Sequence, residues 1–298
     1  MLNQLNPGTK AERARAKSAD RALQVLEYLA TVPSGATFSE ISRALALPKS
    51  STHELLSVMT DRSFVEFNPP TRSYRIGIRT WELGQAFISH RDLLSEARPV
   101  IVKIAAKLDE TVQISVLDGL EEVYLDRVDS SKPLRVQAIV GSRAPAHTTA
   151  LGKVLLSDRR EADVLHELRG RKLQGLTLNT ITAPEALIEE LRWVRLMGFA
   201  IDDQEHAPGL RCVAVPIKDH EGSTVAAVSV AVPITRGRAE DLVDALLVLD
   251  QGARQISRKL GCDIGLLGLK TEDRDDLLGL MAERLDSTDE SLSLASQG

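Results

Sequence analysis

Between Ser18 and Arg79 the hydrophobic period changes from helical to strand-like, and the order of those changes restricts the fold more than any other feature. SADRALQVLEYLA places Ala22, Val25, Leu26 and Leu29 on one helical face. TVPSGA interrupts that helix, and Thr37 with Glu40 in TFSE has capping-box spacing for a short second helix carrying Ile41, Ala44 and Leu45. LPKSSTHELL then opens a third helix, with Leu55, Leu56 and Met59 inward. FVEFNPPTRSYRIG follows as two β-like runs about an Asn-Pro-Pro turn. Three helices and a hairpin in that order predict a winged helix-turn-helix over residues 18–79.

The third helix begins with hydrogen-bonding side chains in the turn where backbone N–H groups already lack partners. A helix that merely packs has no use for them. Lys49, Ser50, Ser51, Thr52 and His53 supply donors and acceptors for base edges and phosphates in a major groove, where the helix dipole also favours an anion. Arg72 and Arg75 on the wing and Arg21 on the first helix are natural phosphate contacts. The partner implied is double-stranded operator DNA.

Charge supports this division. The 298 residues carry a net charge of -5, yet residues 1–79 hold eleven Lys and Arg against seven Asp and Glu, so the acidity lies in the remainder. Residues 1–17, with Lys10, Arg13, Arg15 and Lys17 and no apolar period, read as a flexible basic tail, either a minor-groove arm or a solvated terminus. No apolar run approaches a ~20-residue membrane span, and the N-terminus lacks the apolar core of a signal peptide. A cytoplasmic protein with no membrane partner is expected. Cys212 and Cys262 form no C-x-x-C pair, so neither a disulfide framework nor a structural zinc site is indicated.

Residues 80–91, beginning TWELGQAFISH, form a linking helix whose Trp81, Leu83, Phe87 and Ile88 call for burial against a partner chain. Beyond it, DLLSEARPVIVKIAAKL is a helix. Strand-like runs TVQISVL, EEVYLDRV and KPLRVQAIV follow, then helical stretches, late strands RCVAVPIKD and STVAAVSVAVP, and a long helix from about Arg238 to Leu260. Residues 92–262 therefore form an α+β domain of sensor type. Residues 263–298 are an acidic tail in which Leu277, Leu278, Leu280 and Met281 offer an amphipathic turn that either docks or stays disordered.

Three stretches resemble the IclR family of bacterial transcriptional regulators: SADRALQVLEYLA with LPKSSTHELL, GSRAPAHTTALGKVLLS at 141–157, and GFAIDDQEHAPGLRCVAVPI at 198–217. The resemblance spans about Ser18 to Leu260. It implies a winged helix-turn-helix joined by a linker helix to a GAF-like effector-binding domain, assembled as a homodimer or dimer of dimers. It also implies control of catabolic genes by a small organic acid, aromatic acids included. By position, Ala144, His147, Asp202, Leu210, Cys212 and Ser229 would line the effector pocket. Ala231 stands where some relatives have a second serine, which makes that wall less polar. Glu54 stands where relatives often have arginine; it either accepts from a cytosine N4 amine or orients neighbouring cations. Asp202 beside an acid ligand requires one of the two carboxyls to be protonated, or a ligand hydroxyl or amide to face it.

Two other function classes are weighed against this. An enzyme on the C-terminal domain would need a G-x-S-x-G elbow or a P-loop, and ALGKV supplies neither. GCDIGLLG has the wrong glycine spacing for a dinucleotide fingerprint. His147, His206, Cys212 and Asp202 match no metal spacing, and Cys212 has no sequence-local base. No catalysis, cofactor or metal is expected. A DNA-binding protein without a ligand would leave the acidic domain without a task.

Overall fold

The computed structural model describes residues 10–89, 93–133, 139–263 and 268–295. The chain divides into two compact units, Met1–Arg91 and Asp92–Gly298. In the first, α1 (Lys10–Ala30), α2 (Phe38–Ala44) and α3 (Lys49–Asp61) precede a hairpin of β2 (Val65–Asn68) and β3 (Ser73–Ile76), with β1 (Ala36–Thr37) pairing on the far side of β3. Val25, Leu29, Ile41, Leu56, Met59 and Val65 meet in one small core. This is the expected winged helix-turn-helix.

Local chemistry fixes its turns. Thr37 and Glu40 form the reciprocal capping box that starts α2. At the other end, the Leu47 N–H donates to the Ser42 carbonyl and the Ala46 N–H to the Arg43 carbonyl, a Schellman arrangement. Its left-handed residue is Ala46, at φ +50°, where glycine is the usual occupant. Helix α1 begins eight residues before the expected start at Ser18, because KAERARAK consists of good helix formers. The linking helix α4 (Ile78–Ser89) likewise begins two residues early.

In the second unit, α5 (Leu93–Leu108) leads into β4 (Thr111–Asp118), β5 (Glu121–Val128) and β6 (Arg143–Pro145). Then come α6 (Ala150–Ser157), α7 (Glu161–Leu168), α8 (Pro184–Met197), β7 (Ala200–Asp203), β8 (Leu210–Lys218), β9 (Thr224–Pro233), α9 (Ala239–Lys259) and α10 (Arg274–Ala295). The six strands form an antiparallel sheet in the order β6-β5-β4-β9-β8-β7. Four of the five expected strands fall in β4, β5, β8 and β9. The centre of the other, KPLRVQAIV, lies outside the described residues.

Strand alternation gives the sheet two unlike faces. Val112, Ile114, Ile201, Val213, Val215, Val228 and Val230 pack with α5, α9 and α10 into the larger core. The opposite face presents Ala200, Ala214, Ala227 and Ala231 toward α6, with Leu151, Val154 and Leu155, and Val194 of α8. Alanines fill little space, and that face retains a cavity. Residues 263–298 are not merely a tail: Leu277, Met281 and Leu285 of α10 are buried in the larger core.

Candidate functional site

Helix α3 has a sharply divided surface. Thr52, Leu56 and Met59 are buried, whereas Lys49, Ser50, His53, Glu54, Ser57 and Val58 form an exposed stripe at helical spacing. Thr52 therefore departs from the expectation: its hydroxyl donates to the Pro48 carbonyl at 3.0 Å and its side chain is fully buried. Ser51 is half-buried at the edge of the stripe. Pro48 supplies no side-chain cap, leaving the positive end of the helix without an internal acceptor side chain. Glu54 is exposed on the same stripe and makes no ion pair among the described residues. On the wing, Arg75 is paired with Glu66 at 2.9 Å, both half exposed, while Arg72 is exposed near the hairpin tip; Arg21 on α1 is half-buried.

The cavity on the alanine-rich sheet face has a volume of about 240 Å³. A space of about 150 Å³ holds a benzene-sized molecule, so a single substituted ring fits. Of the residues the sequence nominated, Ala144, Asp202, Leu210, Cys212, Ser229 and Ala231 line it. His147 does not: it sits on a short 3-10 turn, and its Nε2 donates to the Gln174 carbonyl at 3.0 Å. His206 lines the cavity instead, its Nδ1 3.0 Å from the Thr148 hydroxyl. Gly152 lets α6 start against that turn, because a Cβ there would lie 2.2 Å from the Ala146 carbonyl oxygen.

The floor contains polar groups that the sequence reading missed. Gln113 on β4 lies directly across from Ser229 on β9. Gln113 Nε2 and Ser229 Oγ are both buried and make no hydrogen bond among the described residues. Buried polar atoms are nearly always satisfied, so this adjacent pair marks where a ligand atom or water belongs. Glu122 on β5 is fully buried and accepts from the Ser115 hydroxyl at 2.8 Å, and burial pushes its carboxyl up to about 7.

Asp202 sits opposite Cys212 across β7 and β8. Its Oδ1 accepts from the Glu205 N–H at 2.7 Å and the His206 N–H at 3.3 Å. Burial, reinforced by the Glu205 carboxylate, pushes Asp202 up to about 8. The same burial favours its protonated form. Burial and Asp202 also raise the Cys212 thiol well above its ordinary range, which leaves it a neutral thiol rather than a nucleophile. Lys153 is fully buried; burial disfavours its ammonium, but Glu205 at 2.6 Å and Glu190 at 3.2 Å more than offset that and keep it charged. Arg143 at the cavity edge is committed to Asp118 and Glu121. An acid ligand would thus meet neutral donors rather than an uncommitted cation.

A winged helix-turn-helix in one unit and a polar-floored ligand cavity in the other define a ligand-responsive DNA-binding regulator. Comparison with known families agrees: the model described as bacterial transcriptional regulator IclR C-terminal matches residues 85–258, and that of the IclR helix-turn-helix domain matches residues 18–69. The chain belongs to the IclR family of bacterial transcriptional regulators. It is 31% identical to the HTH-type transcriptional regulator XynR of Escherichia coli strain K12, over 82% of this chain and 97% of that one. It is 32% identical to the HTH-type transcriptional repressor AllR of the same organism, over 83% and 91%. Among solved structures, an IclR homologue from Microbacterium hydrocarbonoxydans complexed with 4-hydroxybenzoate aligns with a TM-score of 0.74 at 26% identity, covering 82% of this chain and 98% of that one. No helix among the described residues is long and apolar enough to cross a membrane.

Proposed function

We propose that this protein is a repressor that binds operator DNA through the exposed stripe of α3 and releases it when a small organic acid enters the cavity of the second unit. An aromatic acid is the favoured ligand. The observation that carries this reading is the unsatisfied Gln113 and Ser229 pair on the floor of a cavity large enough for one ring. Their donors can receive a ligand oxygen, and burial favours the protonated form of Asp202, which donates to a carboxylate instead of repelling it. Leu151, Leu210, Ile139 and Ala231 supply apolar surface for the ring. AllR is named a transcriptional repressor, and the Microbacterium homologue is complexed with 4-hydroxybenzoate. An architectural DNA-binding role would leave the unsatisfied polar floor without a purpose.

Regulation requires the ligand to favour one of two states of the protein, and a difference of ~1–3 kcal/mol suffices. With Tyr124 as the aromatic side chain among the described lining residues, the ring is held mainly by aliphatic contacts, so an affinity on the order of micromolar is expected. The test is calorimetry with benzoate, hydroxybenzoates and short keto acids, followed by mobility shift on DNA upstream of the neighbouring genes. Binding of one compound, lost in Ser229→Leu and Cys212→Trp and accompanied by weaker DNA binding, supports the reading. No binding across the panel, or binding indifferent to both substitutions, sinks it.

A further inference from the structure

The family model ends at residue 258, whereas α10 spans Arg274–Ala295. Leu277, Met281 and Leu285 recur every fourth residue and bury one stripe of α10 in the larger core. Beside that stripe, Arg284 reaches α8. Its guanidinium lies over the Trp193 ring, 4.0 Å from the centroid, and its Nη2 donates to Glu190 Oε2 at 2.5 Å. Glu190 and Trp193 are one helical turn apart, so a single arginine grips both.

The contact continues inward. The other oxygen of Glu190 accepts from Lys153 Nζ at 3.2 Å, and Lys153 donates to Glu205 Oε1 at 2.6 Å. The Glu205 backbone N–H in turn holds Asp202 Oδ1, which lines the ligand cavity. Charge explains why Arg284 matters to these contacts. Lys153 alone faces two carboxylates in a buried site, and Arg284 provides the second positive charge; without it one buried carboxylate is uncompensated. The 203–205 segment adjoins a second cavity of about 130 Å³, where Ile181 and Ile201 stand beside Asn179, Glu190, Asp203, Glu205 and Arg284. Ionic contacts hold the segment at both ends, Asp203 to Arg211 at 2.7 Å and Glu205 to Lys153 at 2.6 Å. Gln204, within it, is held at φ +60°, a conformation that needs such support.

We propose that α10 is a strut for the effector site and that Arg284 is its positioning residue, acting through Glu190, Lys153 and Glu205 on Asp202. The regulatory meaning of the strut rests on the cavity being the effector site, but its test needs no effector, so the two readings fail independently. The experiment is hydrogen–deuterium exchange on the full chain, comparing peptides covering 200–210 and 111–117. Arg284→Met should speed exchange in 200–210 roughly tenfold by freeing that segment for local opening, while 111–117 on β4 keeps its rate. Glu190→Gln should act in the same direction on the same peptide. Arg284→Lys, which restores a charge opposite Glu190 but not the contact with the Trp193 ring, should exchange more slowly in 200–210 than Arg284→Met. Unchanged 200–210 exchange in Arg284→Met, equal acceleration of both peptides, or an Arg284→Lys variant that behaves like Arg284→Met overturns the inference.

Discussion

Asp202 shows how one side chain ties the cavity to solution pH. Its pKa rises from an ordinary carboxyl value of about 4 to about 8, so folding takes up a proton between those limits. The stabilisation from the bound proton is complete below about pH 4, declines across the window and is gone above about pH 8, at a limiting slope of about 1.4 kcal/mol per pH unit. Asp202→Asn keeps an acceptor for the Glu205 and His206 N–H groups and removes the titration. Urea unfolding from pH 5 to 8 should then show a shallower loss of stability than the parent; an identical slope would mean that Asp202 is ionised throughout. On α3, Val58 is 55% exposed within an otherwise polar stripe, the placement expected of a contact with a thymine methyl. Replacing one operator thymine by deoxyuridine should weaken parent binding by roughly 1 kcal/mol and leave Val58→Ser indifferent. If every such replacement affects both proteins equally, Val58 makes no base contact. Asp202, Cys212 and Ser229 were legible through the family resemblance. Gln113 was not, because in VQIS strand alternation reads a polar residue as solvent-facing, and it cannot distinguish solvent from a polar-floored cavity.

At the scale of elements, sequence signals were most reliable where a short-range rule dictates geometry. The Thr37–Glu40 capping box and the period of α3 needed no tertiary information. Strand β7 has four residues and owes its extended form to pairing with β8, so its own residues gave no period to read. Helix α10 is mostly polar, and only the four-residue recurrence of Leu277, Met281 and Leu285 betrays its docking. The turn between α2 and α3 carries a local cost that propensity explains: Ala46 holds the left-handed position of the Schellman motif. Glycine enters that conformation without the Cβ penalty, partly offset by its greater freedom in the unfolded chain. Ala46→Gly should therefore stabilise the protein by about 0.5 kcal/mol, seen as a higher urea midpoint with an unchanged slope. A lower midpoint would show that unfolded-state freedom outweighs the relieved strain.

For the whole molecule, the division into a DNA-reading unit and a ligand-holding unit followed from the order of periods and the charge asymmetry, whereas the cavity emerges only when six strands bring small residues together on one face. Assembly is the remaining question at this scale. Helix α4 leaves Ile78 63% and Trp81 62% exposed one turn apart, with Leu83 51% exposed on another face and Arg79 paired with Glu82. Such surface on a regulator is well matched to a second copy of the chain, and a two-fold pair of winged helices would read two half-sites of a palindrome. Trp81→Glu places a charge where that contact would exclude water, while Trp81 is 62% exposed in its own unit. The variant should sediment as a monomer at micromolar concentration where the parent sediments as a dimer or larger. Its circular dichroism should be unchanged, and its operator affinity should fall at least tenfold, or about 1.4 kcal/mol, because two half-sites are no longer engaged together. A parent that is itself monomeric, or a variant that keeps both its mass and its operator affinity, would place the assembly surface elsewhere.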